Sequence, residues 1–154
     1  METYNEKQIK LNREMREKRE QAFSDFNAKR QEMFLQKERA GKEYDAEKKQ
    51  LQMELDNILH ERMYLKTQGM TITNEQYQVT IQREQEVHKA QAELKMRFMD
   101  SRREYARADN LLLEEYRNEK MKIAAEKTER LLIIEKEEKE RKLLTLANEE
   151  EKED

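Results

Sequence analysis

Residues 66–76 read Lys-Thr-Gln-Gly-Met-Thr-Ile-Thr-Asn-Glu-Gln, and this stretch decides the fold. It contains one of the two glycines of the chain and several β-branched residues, which are mediocre helix formers. It ends on Thr73-Asn74-Glu75-Gln76, the pattern of a capping box, in which a threonine hydroxyl and a glutamine side chain satisfy the first amides of a helix. The stretch therefore predicts that one helix ends near Gly69 and that another begins near residue 74.

The residues on either side of this break predict two very long α-helices. The chain has no proline, and 44% of its residues are charged. Before the break, apolar or aromatic residues recur every eleven positions, as in Leu11, Ala22 and Met33. Eleven residues make three turns at about 3.67 residues per turn, so such a row runs almost straight along a helix. A second capping box, from Thr3 to Glu6, marks the start of the first helix.

We therefore expect an all-α chain in which residues 1–154 form a single elongated helical unit. Helix one is expected at residues 4–67, the turn at 68–73 and helix two at 74–149. The last residues, 150–154, are expected to form an acidic tail.

The two helices are predicted to fold back on each other. The apolar rows before and after the break are offset by about two residues, which is about 200° around a continuous helix. A reversal of the chain removes this conflict. If it is centred on Gly69, residues whose numbers add up to 138 face each other, such as Leu51 with Val87 and Tyr44 with Leu94. The pattern favours a long antiparallel, coiled-coil-like hairpin with an 11-residue repeat over a single extended helix.

The predicted seam consists of the apolar and aromatic residues on these rows, and Gly69 and Thr73 are placed in the turn. The seam residues are Leu11, Met15, Ala22, Phe26, Met33, Ala40, Tyr44, Leu51, Leu55, Leu59, Val87, Leu94, Phe98, Tyr105, Leu112, Tyr116, Ile123 and Ile134.

Several apolar side chains remain outside this seam. Consecutive residues of a helix point about 100° apart, so the runs at 111–113 and 131–134 cannot all face one narrow seam. We expect them to contact other protein subunits, in a homo-oligomer or a larger assembly. The candidate partner surface comprises Phe23, Phe34, Met96, Met99, Leu111, Leu113, Leu131, Leu132 and Ile133.

The composition argues against several other classes of protein. The 32 Lys and Arg residues are balanced by 35 Asp and Glu, without the basic excess of a nucleic-acid binder. The chain has no cysteine and only two histidines, so we expect no metal site. Two long helices offer no water-excluding pocket, and the sequence has no glycine-rich phosphate loop, so we expect no catalytic residue and no cofactor. The longest apolar runs have four residues, too few to span a membrane, and the N-terminus lacks the core of a signal peptide. The expected location is the cytoplasm or the interior of a virion or other particle.

These features favour a non-enzymatic structural protein, a helical rod that packs with copies of itself or with other subunits of a large complex such as a virion. A helical scaffolding protein is one alternative. Another is an adaptor or stalk, because the chain resembles the helical-hairpin stalks of flagellar and type III export ATPases at residues 69–71 (Gly-Met-Thr), 77–78 (Tyr-Gln) and 81–82 (Ile-Gln). That resemblance implies docking on an export machine. A stalk should stay monomeric until it meets its ATPase, whereas a structural subunit should self-associate.

Overall fold

The structure of the protein is a computed structural model. It describes residues 1–153, and for Glu153 it describes the backbone alone. Helix α1 spans Tyr4–Thr67 and helix α2 spans Glu75–Glu153, and the described residues contain no strand. Segments of α1 pack against segments of α2 as a helical hairpin, which confirms the prediction of an all-α hairpin. Helix α2 continues beyond the predicted end at residue 149. Asp154, the last residue of the predicted tail, lies outside the described residues.

The contacts divide the chain into two units. The terminal unit combines residues 1–30 with residues 110–153, and the turn unit comprises residues 31–109. Each unit contains one segment of α1 and one segment of α2. That residues 1–154 behave as a single elongated unit stays a prediction.

The start of α1 is capped as its sequence predicts. The Glu6 amide donates to Thr3 Oγ1 at 3.2 Å, and the Thr3 amide donates to the Glu6 carboxylate at 3.4 Å. These reciprocal hydrogen bonds form a capping box, which satisfies amides that have no partner within the helix. Glu6 in the first turn and Lys66 in the last turn also have the charges that the helix dipole favours.

Gly69 ends α1 rather than occupying the middle of the turn. Its φ is +79°, a left-handed conformation that glycine adopts without the steric cost paid by other residues. The Gly69 amide donates to the Lys66 carbonyl, and the Met70 amide donates to the Leu65 carbonyl, each at 3.0 Å. This pair of bonds is the Schellman motif of a helix C-terminus.

The cap of α2 lies one residue later than predicted. The Gln76 amide donates to Asn74 Oδ1 at 2.9 Å, so Asn74 is the N-cap. The predicted cap, Thr73, instead shares a hydrogen bond of 2.9 Å with the Thr71 hydroxyl inside the turn. The capping-box prediction at Thr73 is therefore wrong, because the turn engages this hydroxyl and leaves the asparagine next to the first helical amides.

The register between the helices differs from the predicted one by about one helical turn. In the turn unit, Tyr44 stacks on Phe98, whereas the register centred on Gly69 paired Tyr44 with Leu94. In the terminal unit, Phe26 stacks on Tyr116. Both observed pairs have numbers that add up to 142 rather than 138.

The physical reason is the length of the turn. Residues 68–74 separate α1 from α2, and the midpoint of this segment is Thr71, two residues after Gly69. Moving the centre by two residues moves every facing pair by four, which is about one turn at 3.6 residues per turn. The same faces of the helices therefore meet, but each residue faces a different partner.

Each unit has its own core. In the terminal unit, Leu11, Met15 and Ile123 are buried and pack together, with Ala22, Leu131 and Ile134 against them. In the turn unit, the buried residues are Ile58, Leu65, Thr80, Val87 and Leu94.

Candidate interaction surface

The structure places the predicted seam residues at three levels of burial. Leu11, Met15, Val87, Leu94 and Ile123 are buried. Leu59 is exposed. The others are half-buried: Ala22, Phe26, Met33, Ala40, Tyr44, Leu51, Leu55, Phe98, Tyr105, Leu112, Tyr116 and Ile134.

The assignment of Leu59 to the seam is wrong. Its side chain is 42% exposed, whereas the neighbouring Ile58 is 2% exposed. Near the turn, the shielded positions of α1 are 51, 55, 58, 62 and 65, which advance alternately by four and three residues. The predicted seam advances twice by four residues after residue 51, to residues 55 and 59. In the structure the second step is three residues, so Ile58 is shielded and Leu59 points away from α2.

Aromatic rings join the two helices in both units. The Tyr44 and Phe98 rings stack with centroids 4.0 Å apart and planes at 12°. The Phe26 and Tyr116 rings stack at 4.5 Å and 14°, and Phe23 contacts the Tyr116 ring at 6.3 Å. Such pairs contribute about 0.5–1.5 kcal/mol beyond the burial of their area. These rings therefore serve contacts within the chain.

A row of ion pairs runs beside the seam of the terminal unit. Lys7 contacts Glu137 at 3.0 Å, and Lys18 contacts Glu126 at 2.7 Å. Between them, Arg130 contacts Glu14 at 2.7 Å, and this adjacent guanidinium lowers the pKa of Glu14. Partly exposed ion pairs of this kind contribute little to the free energy of unfolding. Their main effect is on register, since a displaced helix would face like charges.

A polar cluster lies inside the seam of the turn unit. Thr80 is fully buried, and its hydroxyl donates to the Tyr77 carbonyl at 2.6 Å while accepting from Arg62 Nε at 3.2 Å. Arg62 Nη2 lies 2.5 Å from Glu84 Oε2, with the Arg62 side chain only 15% exposed. The Arg62 guanidinium beside Glu84 lowers the pKa of that carboxyl, and the nearby His88 acts in the same direction.

Sequence reasoning missed this cluster. Arg62 and Glu84 did not stand out among the many charged residues, and Thr80 was not among the predicted seam residues. One signal was available, because Arg62 occupies an apolar-stripe position, seven residues after Leu55 and four after Ile58. A charged residue at such a position requires a partner inside the seam.

The described residues hold no group of three or more acidic or histidine side chains arranged to bind a metal ion. His88 instead lies 3.5 Å from Glu84 Oε1 and 3.2 Å from Gln91 Oε1. Within residues 1–153, no helix is long and apolar enough to cross a bilayer.

Most of the predicted partner surface is exposed, but Leu131 is not part of it. Leu131 packs against the buried cluster of the terminal unit, because it lies only three residues, or about 60° around the helix, from Ile134. Leu113 is half-buried. The exposed members are Phe23, Phe34, Met96, Met99, Leu111, Leu132 and Ile133.

The terminal unit has a second apolar stripe on α2, which we call the outer stripe. It consists of Met121, Leu132, Leu143 and Leu146, whose exposed fractions are 70%, 61%, 66% and 56%. Leu132 lies nine residues after the buried Ile123, so the two point about 180° apart. The outer stripe is therefore on the side of α2 opposite the contact with α1.

Part of the outer stripe lies beyond the start of α1. Lys7, in the first turns of α1, contacts Glu137 on α2. Helix α1 begins at Tyr4, only one turn before Lys7, whereas α2 continues to Glu153. From residue 141 to residue 152 every residue of α2 is exposed.

No protein-family model matches the chain. No curated protein and no solved structure matches it either.

Proposed function

We propose that this chain is a non-enzymatic structural protein, a helical subunit that assembles with copies of itself or with other protein subunits in a large complex. The observation that carries the proposal is the outer stripe, in which Met121, Leu132, Leu143 and Leu146 are exposed on the side of α2 opposite α1. Apolar side chains aligned along one exposed face of a helix can pack against the apolar face of another helix. The proposed setting is the cytoplasm or the interior of a virion or other multi-subunit particle.

The spacing of shielded residues supports a coiled-coil-like role with an 11-residue repeat in the terminal unit. Leu112, Ile123 and Ile134 are shielded at intervals of eleven residues. Because eleven residues make three nearly natural helical turns, a seam of this spacing needs little supercoiling. Nearly straight helices can pack laterally against others over many turns, which suits a repeated subunit.

Sedimentation velocity of the full chain tests the proposal. We expect the weight-average mass to rise above 18.9 kDa as the concentration is raised through the micromolar range. A single species of 18.9 kDa at every concentration would contradict self-assembly.

The turn unit favours a second candidate, an adaptor or stalk that docks on another machine. Met63, Tyr64, Ile72 and Val79 are all exposed, in or near the turn. These side chains could enter an apolar groove of a partner. An adaptor of this kind would sediment as a monomer in the same experiment, and substituting Tyr64 and Ile72 with aspartate would abolish docking without unfolding the helices.

A further inference from the structure

Three of the four residues of the outer stripe have the symmetry of a surface that pairs with itself. Met121 lies eleven residues before Leu132, and Leu143 lies eleven residues after it. Eleven residues advance a helix by three turns plus about 20°, so the three side chains form a nearly straight row. A two-fold axis through Leu132 exchanges the two ends of this row.

We propose that the outer stripe is the dimer interface of this protein, in which two copies of α2 pack antiparallel about a two-fold axis at Leu132. The inference rests on the proposed function of self-assembly and deepens it by naming the surface, the partner and the orientation. In this dimer Leu132 contacts Leu132 of the second copy, and Met121 contacts Leu143 of the second copy at both ends. The three apolar layers extend over 22 residues, which is about 33 Å of helix.

Charges beside the outer stripe match this orientation. Lys122, Glu129, Lys136 and Glu140 lie on one side of the stripe, at about 40–80° from Leu132. In an antiparallel pair, the same side of each helix meets across the interface. Glu129 then faces Lys136 of the second copy, and Lys122 faces Glu140. The two-fold axis repeats both pairs, so four opposite-charge contacts flank the apolar row.

These four charges are available for a partner. Each of their side chains lacks an ion pair with any residue that the structure describes. The neighbouring Arg130 and Glu126, on the side that faces α1, are instead paired within the chain.

The orientation follows from Lys139, which lies within about 20° of the stripe. In a parallel pair in register, Lys139 would face its own copy inside the interface, and like charges in contact disfavour association. In the antiparallel pair, Lys139 faces Ala125, whose small side chain leaves room for the lysine stem. A second copy in antiparallel orientation is thus the occupant that the stripe and its charges favour together.

Cysteine crosslinking of the full chain tests the orientation directly, since the protein has no cysteine of its own. Met121→Cys and Leu143→Cys chains would be refolded together and oxidised mildly. We expect disulfide-linked dimers in the mixture and few such dimers in either variant alone. Dimers formed by each variant alone would indicate a parallel pair and overturn the proposal.

Association measurements test the surface itself. Leu132→Lys places a charge against its own copy, so we expect the dissociation constant to rise on the order of tenfold or more. Because Leu132 points away from α1, the helical circular dichroism should not change. The matched control is Met96→Lys, at an equally exposed position in the turn unit, which should leave the constant unchanged.

The two proposals fail in different ways. A wild-type chain that is monomeric at every concentration overturns self-assembly and this interface together. If the wild-type chain associates but Leu132→Lys does not weaken association, or Met96→Lys weakens it more, self-assembly stands and this interface is wrong. Charge exchange adds a further test, because Glu129→Lys and Lys136→Glu should each weaken the dimer and the double variant should restore it.

Discussion

Tyr44 and Phe98 stack across the two helices of the turn unit, with their ring centroids 4.0 Å apart and their planes at 12°. Their numbers add up to 142, the value expected when the centre of the turn is Thr71. This contact therefore shows how the length of the turn sets the register between α1 and α2.

The stack predicts a measurable coupling between these two residues. Tyr44→Leu and Phe98→Leu keep apolar side chains but remove the ring contact. In a double-mutant cycle from urea unfolding, we expect a coupling of about 0.5–1.5 kcal/mol. The control cycle combines Tyr44→Leu with Leu94→Ala, the pair that a turn centred on Gly69 would bring together. A larger coupling in the control cycle would contradict the observed register.

The two glycines predict opposite effects of substitution with alanine. Gly41 lies inside α1, and a Cβ there would meet no atom within 4 Å, so Gly41→Ala should stabilise the protein by about 0.5–1 kcal/mol. Gly69 has a φ of +79°, so Gly69→Ala should destabilise it by about 1–2 kcal/mol. Midpoints of urea unfolding measure both changes. Equal effects of the two substitutions would argue against the Schellman end of α1.

The buried polar cluster predicts that Thr80 matters through its hydroxyl. Thr80→Val keeps the shape of the side chain but leaves Arg62 Nε without its acceptor, which should cost about 1–3 kcal/mol of the free energy of unfolding. Thr145 provides a control, because its hydroxyl is exposed and bonds only to the Arg141 carbonyl. We expect Thr145→Val to change the stability by less than about 0.5 kcal/mol. Similar losses in the two variants would contradict a special role for the cluster.

The same cluster predicts loss of stability in acid. The pKa of Glu84 is lowered in the folded chain, chiefly by the adjacent Arg62 guanidinium. A lowered folded-state pKa contributes stability that is present above the unfolded-state value, near 4.5, and is lost as the pH falls through the folded value. Thermal unfolding midpoints measured from pH 7 downwards should therefore fall below about pH 4.5.

Two variants identify the origin of this pH dependence. Glu84→Gln removes the titrating group, and Arg62→Met removes the donor that lowers its pKa. Each should flatten the acid part of the profile, and the double variant should flatten it little further. If the two variants had independent, additive effects, the Arg62–Glu84 contact would not be the cause.

Local features of the fold could be predicted from the sequence. The capping box from Thr3 to Glu6 depends only on residues within one turn, and its hydrogen bonds are present. Helical periodicity likewise identified which face of each helix is apolar, because that face is set by the spacing of side chains along one helix.

The register and the finer contacts could not be predicted in this way. Periodicity defines which face of a helix is apolar but not how far one helix is displaced along the other. The partner of Tyr44 therefore depended on where the turn ends. Thr73 and Asn74 are both good caps, and a hydrogen bond within the turn decided between them. Arg62 is one of 32 basic residues, and its burial depends on Thr80 and Glu84, which only the folded turn unit brings to it.

The reversal of the chain at residues 68–74 is the central claim, and a distance between spin labels tests it most directly. Glu47 and Arg97 are exposed, and Arg97 Nη2 lies 3.7 Å from Glu47 Oε2 across the turn unit. Labels at Glu47→Cys and Arg97→Cys, diluted with unlabelled chain, should show a short distance, because packed helix axes are only about 10 Å apart. A distance near 75 Å, the span of about fifty residues in one continuous helix, would contradict the account.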